Sequence, residues 1–141
     1  MRFDPLHGRG ARTNASGRYE RFVREAFDDG WVGEATKPLE TIVTAELAKT
    51  IISTNQSPDI SFEQSINPYR GCEHGCVYCY ARPNHAYVGL SPGLDFETKL
   101  FVKANAVELL ERAFAKPTYK PKTIMLGGVT DIYQPIERGY G

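Results

Sequence analysis

The chain has 141 residues, 41% hydrophobic and 24% charged, with 17 basic and 17 acidic side chains. That length bounds one modest domain, and the composition is that of an ordinary soluble globular protein. The even charge balance gives no field favouring nucleic acid, and no apolar run nears the ~20 residues of a membrane span. The start, Met1-Arg-Phe-Asp-Pro-Leu-His7, lacks the apolar centre of a signal peptide. Its three cysteines then fit a reducing compartment, and the protein reads as cytoplasmic with no membrane partner.

In chain order, residues 1–24 carry six arginines (Arg2, Arg9, Arg12, Arg18, Arg21, Arg24) against Asp4 and Glu20, with glycines interspersed. This predicts a flexible basic arm, and residues 1–40 are taken as an N-terminal extension ahead of a unit spanning 41–141. Such an arm can hold phosphate backbones, but a solvated tail accounts for it as well. Tyr19 to Trp31 has the spacing of a short helix with Phe22, Val23 and Phe27 on one side, ended by Gly30. The β-branched run Thr41 to Thr54 reads as extended structure, a hairpin ahead of a barrel, with a helical turn over Ala45 to Lys49 as the alternative. Asn55, Ser57, Pro58 and Asp59 make a loop, and Ile60 to Ile66 is the strand that delivers the chain to the next segment.

That segment, Ile66-Asn-Pro-Tyr-Arg-Gly-Cys-Glu-His-Gly-Cys-Val-Tyr-Cys-Tyr80, holds every cysteine of the chain: Cys72, Cys76 and Cys79, spaced C-x3-C-x2-C. Three thiols this close converge only if the backbone wraps as a tight loop, which Gly71 and Gly75 permit. Three thiolates on one loop can hold three corners of an iron–sulfur cube and leave the fourth iron open to a small molecule. A Cys3His zinc site completed by His85, three buried thiols, or a disulfide with one thiol over are the alternatives. Structural zinc sites usually split their ligands between two knuckles, and glycine-rich loops are poor places to bury a thiol.

The spacing, the aromatic Tyr78 before the last cysteine, and the strings Asn67-Pro-Tyr-Arg-Gly-Cys72 and Cys79-Tyr-Ala-Arg82 together resemble a known cluster loop. It is that of the radical S-adenosylmethionine (SAM) superfamily, in the branch related to spore photoproduct lyase and labelled DNA-repair photolyase-like. The resemblance implies a 4Fe–4S cluster on Cys72, Cys76 and Cys79, with the amino and carboxylate groups of SAM on the remaining iron. It further implies lyase-type chemistry: reductive cleavage of SAM to methionine and a 5′-deoxyadenosyl radical, which abstracts hydrogen from a substrate. A flavodoxin- or ferredoxin-like electron donor follows, and nucleic acid is a candidate partner that the charge balance does not support. Tyr78 is placed against adenine.

After the cysteines, Arg82 to Asp95 is long, aromatic and turn-rich, with Arg82, Asn84, His85 and Tyr87 as candidates for facing a ligand or simply packing. Phe96 to Lys103 reads as a strand. Asn105 then opens a helix as N-cap, with Glu108 three residues on and Ala106, Leu109, Leu110, Ala113 and Phe114 on one face. Lys116-Pro117 stops it. Thr123 to Gly128 reads as a buried parallel strand ending in glycines. The following Gly127-Gly-Val-Thr-Asp131 resembles the glycine motif that receives the amino group of SAM in the superfamily. Gly127, Gly128, Thr130 and Asp131 are therefore candidate cofactor contacts, since carbonyls, hydroxyl and carboxylate accept from an ammonium.

The fold class expected is α/β, the N-terminal portion of a partial (β/α) barrel. A full barrel takes ~250 residues, whereas only 62 follow Cys79. The chain thus has room for the first strand, the cluster loop, a helix and a second strand, and reads as the front of a longer barrel. An iron–sulfur or zinc module, or a truncated product without SAM chemistry, is the alternative function.

Overall fold

A computed structural model describes residues 7–25, 27, 30 and 39–140. Its strands are β1 (Ile42–Glu46), β2 (Ile52–Thr54), β3 (Gln64–Ile66), β4 (Tyr69–Arg70), β5 (Lys99–Lys103) and β6 (Ile124–Leu126). A 3-10 helix over Arg82–Val88 and helix α1 (Leu94–Thr98) lie between β4 and β5, α2 (Ala106–Phe114) follows β5, and α3 (Glu137–Tyr140) ends the described chain. The strands form two sheets of three, in the orders β1-β5-β4 and β2-β3-β6. The chain is thus mixed α/β with small sheets, and among the described residues neither sheet closes into a barrel.

The β-branched run at 42–54 is extended as expected, but it is not a hairpin. β1 runs parallel to β5, Ile42 facing Lys99 and Glu46 facing Lys103, while β2 pairs antiparallel with β3. Propensity makes a segment extended without choosing its partner. The strand expected over residues 60–66 is confined to Gln64–Ile66, because the Asn55 side chain caps a turn at Ser57 and Ile60 N–H donates back to Ser57 O. β6 is parallel to β3, with Gln64 opposite Ile124 and Ile66 opposite Leu126. It is not buried, however: as an edge strand it leaves Met125 40% and Leu126 54% exposed.

The core lies under α1 and β5, where Phe96, Leu100 and Val102 meet Tyr69, Ala81 and Ala86. The strand expected from Phe96 starts only at Lys99, and residues 96–98 belong to helix α1. Leu94 N–H donates to Thr13 O at 3.0 Å, Asp95 N–H to Asn14 Oδ1 at 3.0 Å, and Thr98 Oγ1 to Leu94 O at 2.8 Å. α2 starts where Asn105 and Glu108 place it, yet Asn105 does not cap it. Its amide accepts from Ala48 N–H and donates to Ala48 O, both at 2.9 Å, and so ties the helix start to the β1–β2 connection.

The N-terminal segment departs furthest from expectation. Residues 8–17 are not a free arm: Ala11 and Gly17 are buried, and backbone groups of this stretch bond Glu97, Leu94 and Ser91. Residues 19–25 form no helix. The rest of the helix proposed over Tyr19–Trp31 falls mostly outside the described residues.

Candidate metal centre

β4 ends at Arg70; Gly71, with a φ of +76°, begins the cysteine loop, and Gly75 at φ +64° reverses it between Cys72 and Cys76. Both angles lie in the region that only glycine enters readily. Two consecutive turns follow, closed by Gly75 N–H to Cys72 O at 3.3 Å and Cys79 N–H to Cys76 O at 3.2 Å. The loop is anchored to the core by Cys72 N–H donating to Phe96 O at 3.1 Å. As a result Cys72 is buried beside Ala81 and Phe96, Cys79 is half-buried against the same cluster, and Cys76 is exposed. All three are free thiols, and all three line one cavity of about 460 Å³. That size falls within the roughly 300–1,000 Å³ usual for small-molecule sites.

The opposite wall is the segment after β6. Gly127, Gly128, Thr130 and Asp131 line the cavity, so the two stretches singled out in the sequence meet there. Several hydrogen bonds bind them together. Val129 N–H donates to Asn67 Oδ1 at 2.9 Å, Thr130 Oγ1 to Gly71 O at 2.7 Å, and Gln134 Nε2 to Thr130 Oγ1 at 3.1 Å. Glu73 N–H donates to Gln134 Oε1 at 2.9 Å, and the Tyr80 hydroxyl donates to Gly128 O. At the rim His74 Nε2 stands 3.4 Å from Asp131 Oδ2, both side chains about half exposed.

Burial pushes the Cys72 thiol up from its usual value. Nearby N–H groups of His74 and Asp131 pull it back down, while the Asp131 carboxylate and Cys79 push it further up. A cation bound here therefore has to displace a proton from Cys72, because the thiolate is the ligand form. Among the described residues no group of three or more His, Cys, Asp or Glu side chains is gathered as the shell of one metal ion. A single ion draws its ligand atoms to about 2.0–2.3 Å. A cube asks less convergence of its cysteines, because each binds a different iron. The three thiols line one small-molecule-sized cavity without gathering around a single ion's position.

The other candidates divide. Tyr78 is 87% exposed and does not line the cavity; Tyr80, two residues on, does. His85 is buried, its ring edge-on to Phe96 at 5.5 Å, and its Nε2 bonds Lys99 O at 2.9 Å. It is a core histidine, which removes it from the Cys3His zinc alternative. Asn84 borders a separate small cavity, Tyr87 lies exposed against Tyr19 with ring centroids 5.5 Å apart, and Arg82 turns inward to Glu97. Sequence reasoning missed Gln134, Asn67 and Glu97. Asn67 precedes a proline at the mouth of the loop, the one local signal among them.

No family model and no solved structure matches the chain. Over 81 residues it is 42% identical to an uncharacterised protein of Mycobacterium bovis and to uncharacterised proteins of two Mycobacterium tuberculosis strains. The aligned stretch makes up 57% of this chain, and the chain spans only 24% of the length of these curated relatives.

Proposed function

We propose that this chain is the cluster-bearing part of a radical-SAM protein. Cys72, Cys76 and Cys79 hold three irons of a 4Fe–4S cluster, and the fourth iron takes the amino and carboxylate groups of SAM. What supports this above all is the meeting of the C-x3-C-x2-C loop with Gly127, Gly128, Thr130 and Asp131 across one cavity. When bound, such a cluster supplies one-electron reductive cleavage of the SAM sulfonium.

The chain's own residues have separable tasks. Cys72, Ala81 and Val129 form an apolar floor that keeps water from the sulfur side. Gly127 and Gly128 let backbone carbonyls approach a ligand, with Gly128 O held by Tyr80. Asp131 at the rim is the acceptor suited to an ammonium. Thr130 sits deeper and orients the loop through Gly71 O. In the same reading β3, α2 and β6 are the opening strand–helix–strand unit of a larger barrel, with the exposed edge of β6 as the place for the next strand. An external flavodoxin- or ferredoxin-like protein supplies the electron.

One observation favours a second reading, an iron–sulfur module without SAM chemistry. The Thr130 hydroxyl bonds Gly71 and Gln134 instead of facing the cavity. Anaerobic reconstitution separates the two. About four irons and matching sulfide per chain, with 5′-deoxyadenosine formed from SAM on reduction, support the proposal. Iron without that product leaves the module, and zinc without iron ends both.

A further inference from the structure

The N-terminal segment carries no cysteine, yet it lies directly behind the cysteine loop. Residues 8–11, Gly-Arg-Gly-Ala, curl around one carboxylate: Arg9 and Ala11 N–H each donate to Glu97 at 2.6 Å, and Gly10 N–H donates at 3.1 Å. Glu97 is fully buried, and its next donor is Arg82 Nη2 at 2.6 Å. The same guanidinium donates to Gly75 O at 2.6 Å and to Cys76 O at 3.0 Å. Arg9 in turn donates to Glu73 Oε1 at 2.9 Å, so the segment holds the loop before Gly75 while Arg82 holds it at Gly75 and Cys76. Gly10 and Gly75 touch so closely that a Cβ on Gly10 would fall on the Gly75 carbonyl oxygen.

We infer that residues 8–11, clasped on Glu97, are the back wall of the cysteine loop, and that Glu97 and Arg82 are positioning residues that set where Cys76 and Cys79 stand. The importance of this for a cluster rests on the function proposed above; the coupling of segment to loop does not. The carboxylate is the hub: four donors converge on it, and one of them carries its charge to the two carbonyls at the centre of the loop. Without the hub, Arg82 is a half-buried cation free to turn away, Gly75 O loses its guanidinium partner, and Cys76 O is left with the Cys79 N–H alone. Partners that orient metal ligands typically contribute about 10–100-fold in affinity.

Full-length wild type, Gly10→Ala, Glu97→Gln and Arg12→Ala test this, Arg12 being exposed and outside the network. In each, the alkylation rate of every cysteine, tryptic cleavage after Arg9, melting temperature and iron uptake are measured. In wild type and Arg12→Ala the bond after Arg9 is protected and the thiols react in the order Cys76, Cys79, Cys72, following their exposure. Gly10→Ala leaves the carboxylate intact, so it carries the test even if Glu97→Gln does not fold. In Gly10→Ala cleavage after Arg9 appears, Cys79 reacts as fast as Cys76, and iron affinity falls about 10–100-fold.

A merely structural role would lower the melting temperature and leave thiol rates and iron per folded chain unchanged; that result overturns the inference. So does rapid cleavage after Arg9 in wild type. If wild type takes up no iron, the proposed function falls, while thiol rates and proteolysis still decide whether the segment sets the loop.

Discussion

Replacing Thr130 by valine keeps the shape of the side chain and removes its hydroxyl. That hydroxyl donates to Gly71 O at 2.7 Å and accepts from Gln134 Nε2 at 3.1 Å, and Thr130 and Gln134 are both buried. The variant orphans a carbonyl at the start of the cysteine loop and an amide N–H behind it. An orphaned buried group costs about 1–3 kcal/mol, so the pair amounts to about 2–4 kcal/mol after partial relaxation. At roughly 2–4 °C per kcal/mol for a chain of this size, the melting temperature of the metal-free protein drops by about 4–16 °C. Thr130→Ser keeps both bonds, loses one methyl and drops by about 1 kcal/mol. Thermal unfolding of the two variants side by side is the assay. If Thr130→Val melts with Thr130→Ser, the hydroxyl is not holding the two walls together; a loss confined to SAM binding would return Thr130 to the ligand role that the sequence assigned it.

Three further outcomes follow from the geometry. Burial holds His85 below its usual 6.5, against the opposing pull of Lys99 O and Asp95. The unfolded chain therefore takes up a proton that the folded chain resists: this stability is present above pH ~6.5 and is lost as pH falls below it through the folded value. The melting temperature falls between about pH 7.5 and 5.5, less so in His85→Gln, and a flat wild-type profile contradicts this. Asn105→Ala costs about 1–3 kcal/mol in denaturant unfolding through its two bonds to Ala48; Asn105→Ser, an equally good cap, does not restore it, and recovery would show that capping was the role. Leu126→Lys, at the exposed edge of β6, changes stability by less than about 0.5 kcal/mol and reduces self-association in sedimentation. A substantially lower melting temperature would mean that Leu126 is packed.

The parts of this molecule that were legible in the sequence are those specified by neighbours along the chain. The cysteine spacing with Gly71 and Gly75 specifies a loop, and the apolar periodicity from Ala106 to Phe114 specifies a helix. What was hidden depends on partners far away in sequence. Glu97 looks like a solvent-facing charge until Arg9, 88 positions earlier, wraps its N–H around it. Residues 96–98 read as a strand-like continuation into β5, but bonds of Thr13 and Asn14 with Leu94 and Asp95 start a helical turn there. Asn105 and Glu108 match a capping pattern, yet the side chain finds Ala48, 57 positions away, a stronger claim than its own helix. The basic arm misled for a related reason. Glycines at 8, 10 and 17 read as flexibility, whereas they allow backbone to approach Glu97, Gly75 and Leu90. In the second motif, the inward bonding of the Thr130 hydroxyl was not legible, because its partners Gly71 and Gln134 are set by the fold.

The proposed iron–sulfur cube is held at three corners by Cys72, Cys76 and Cys79, with one iron left for SAM. Mössbauer spectroscopy of the anaerobically reconstituted, iron-57-labelled chain, with and without SAM, addresses it most directly. One iron in about four changes its spectrum when SAM is added, and none does so in Cys76→Ala. A spectrum in which every iron ignores SAM, or iron uptake that survives the loss of all three thiols, would contradict it.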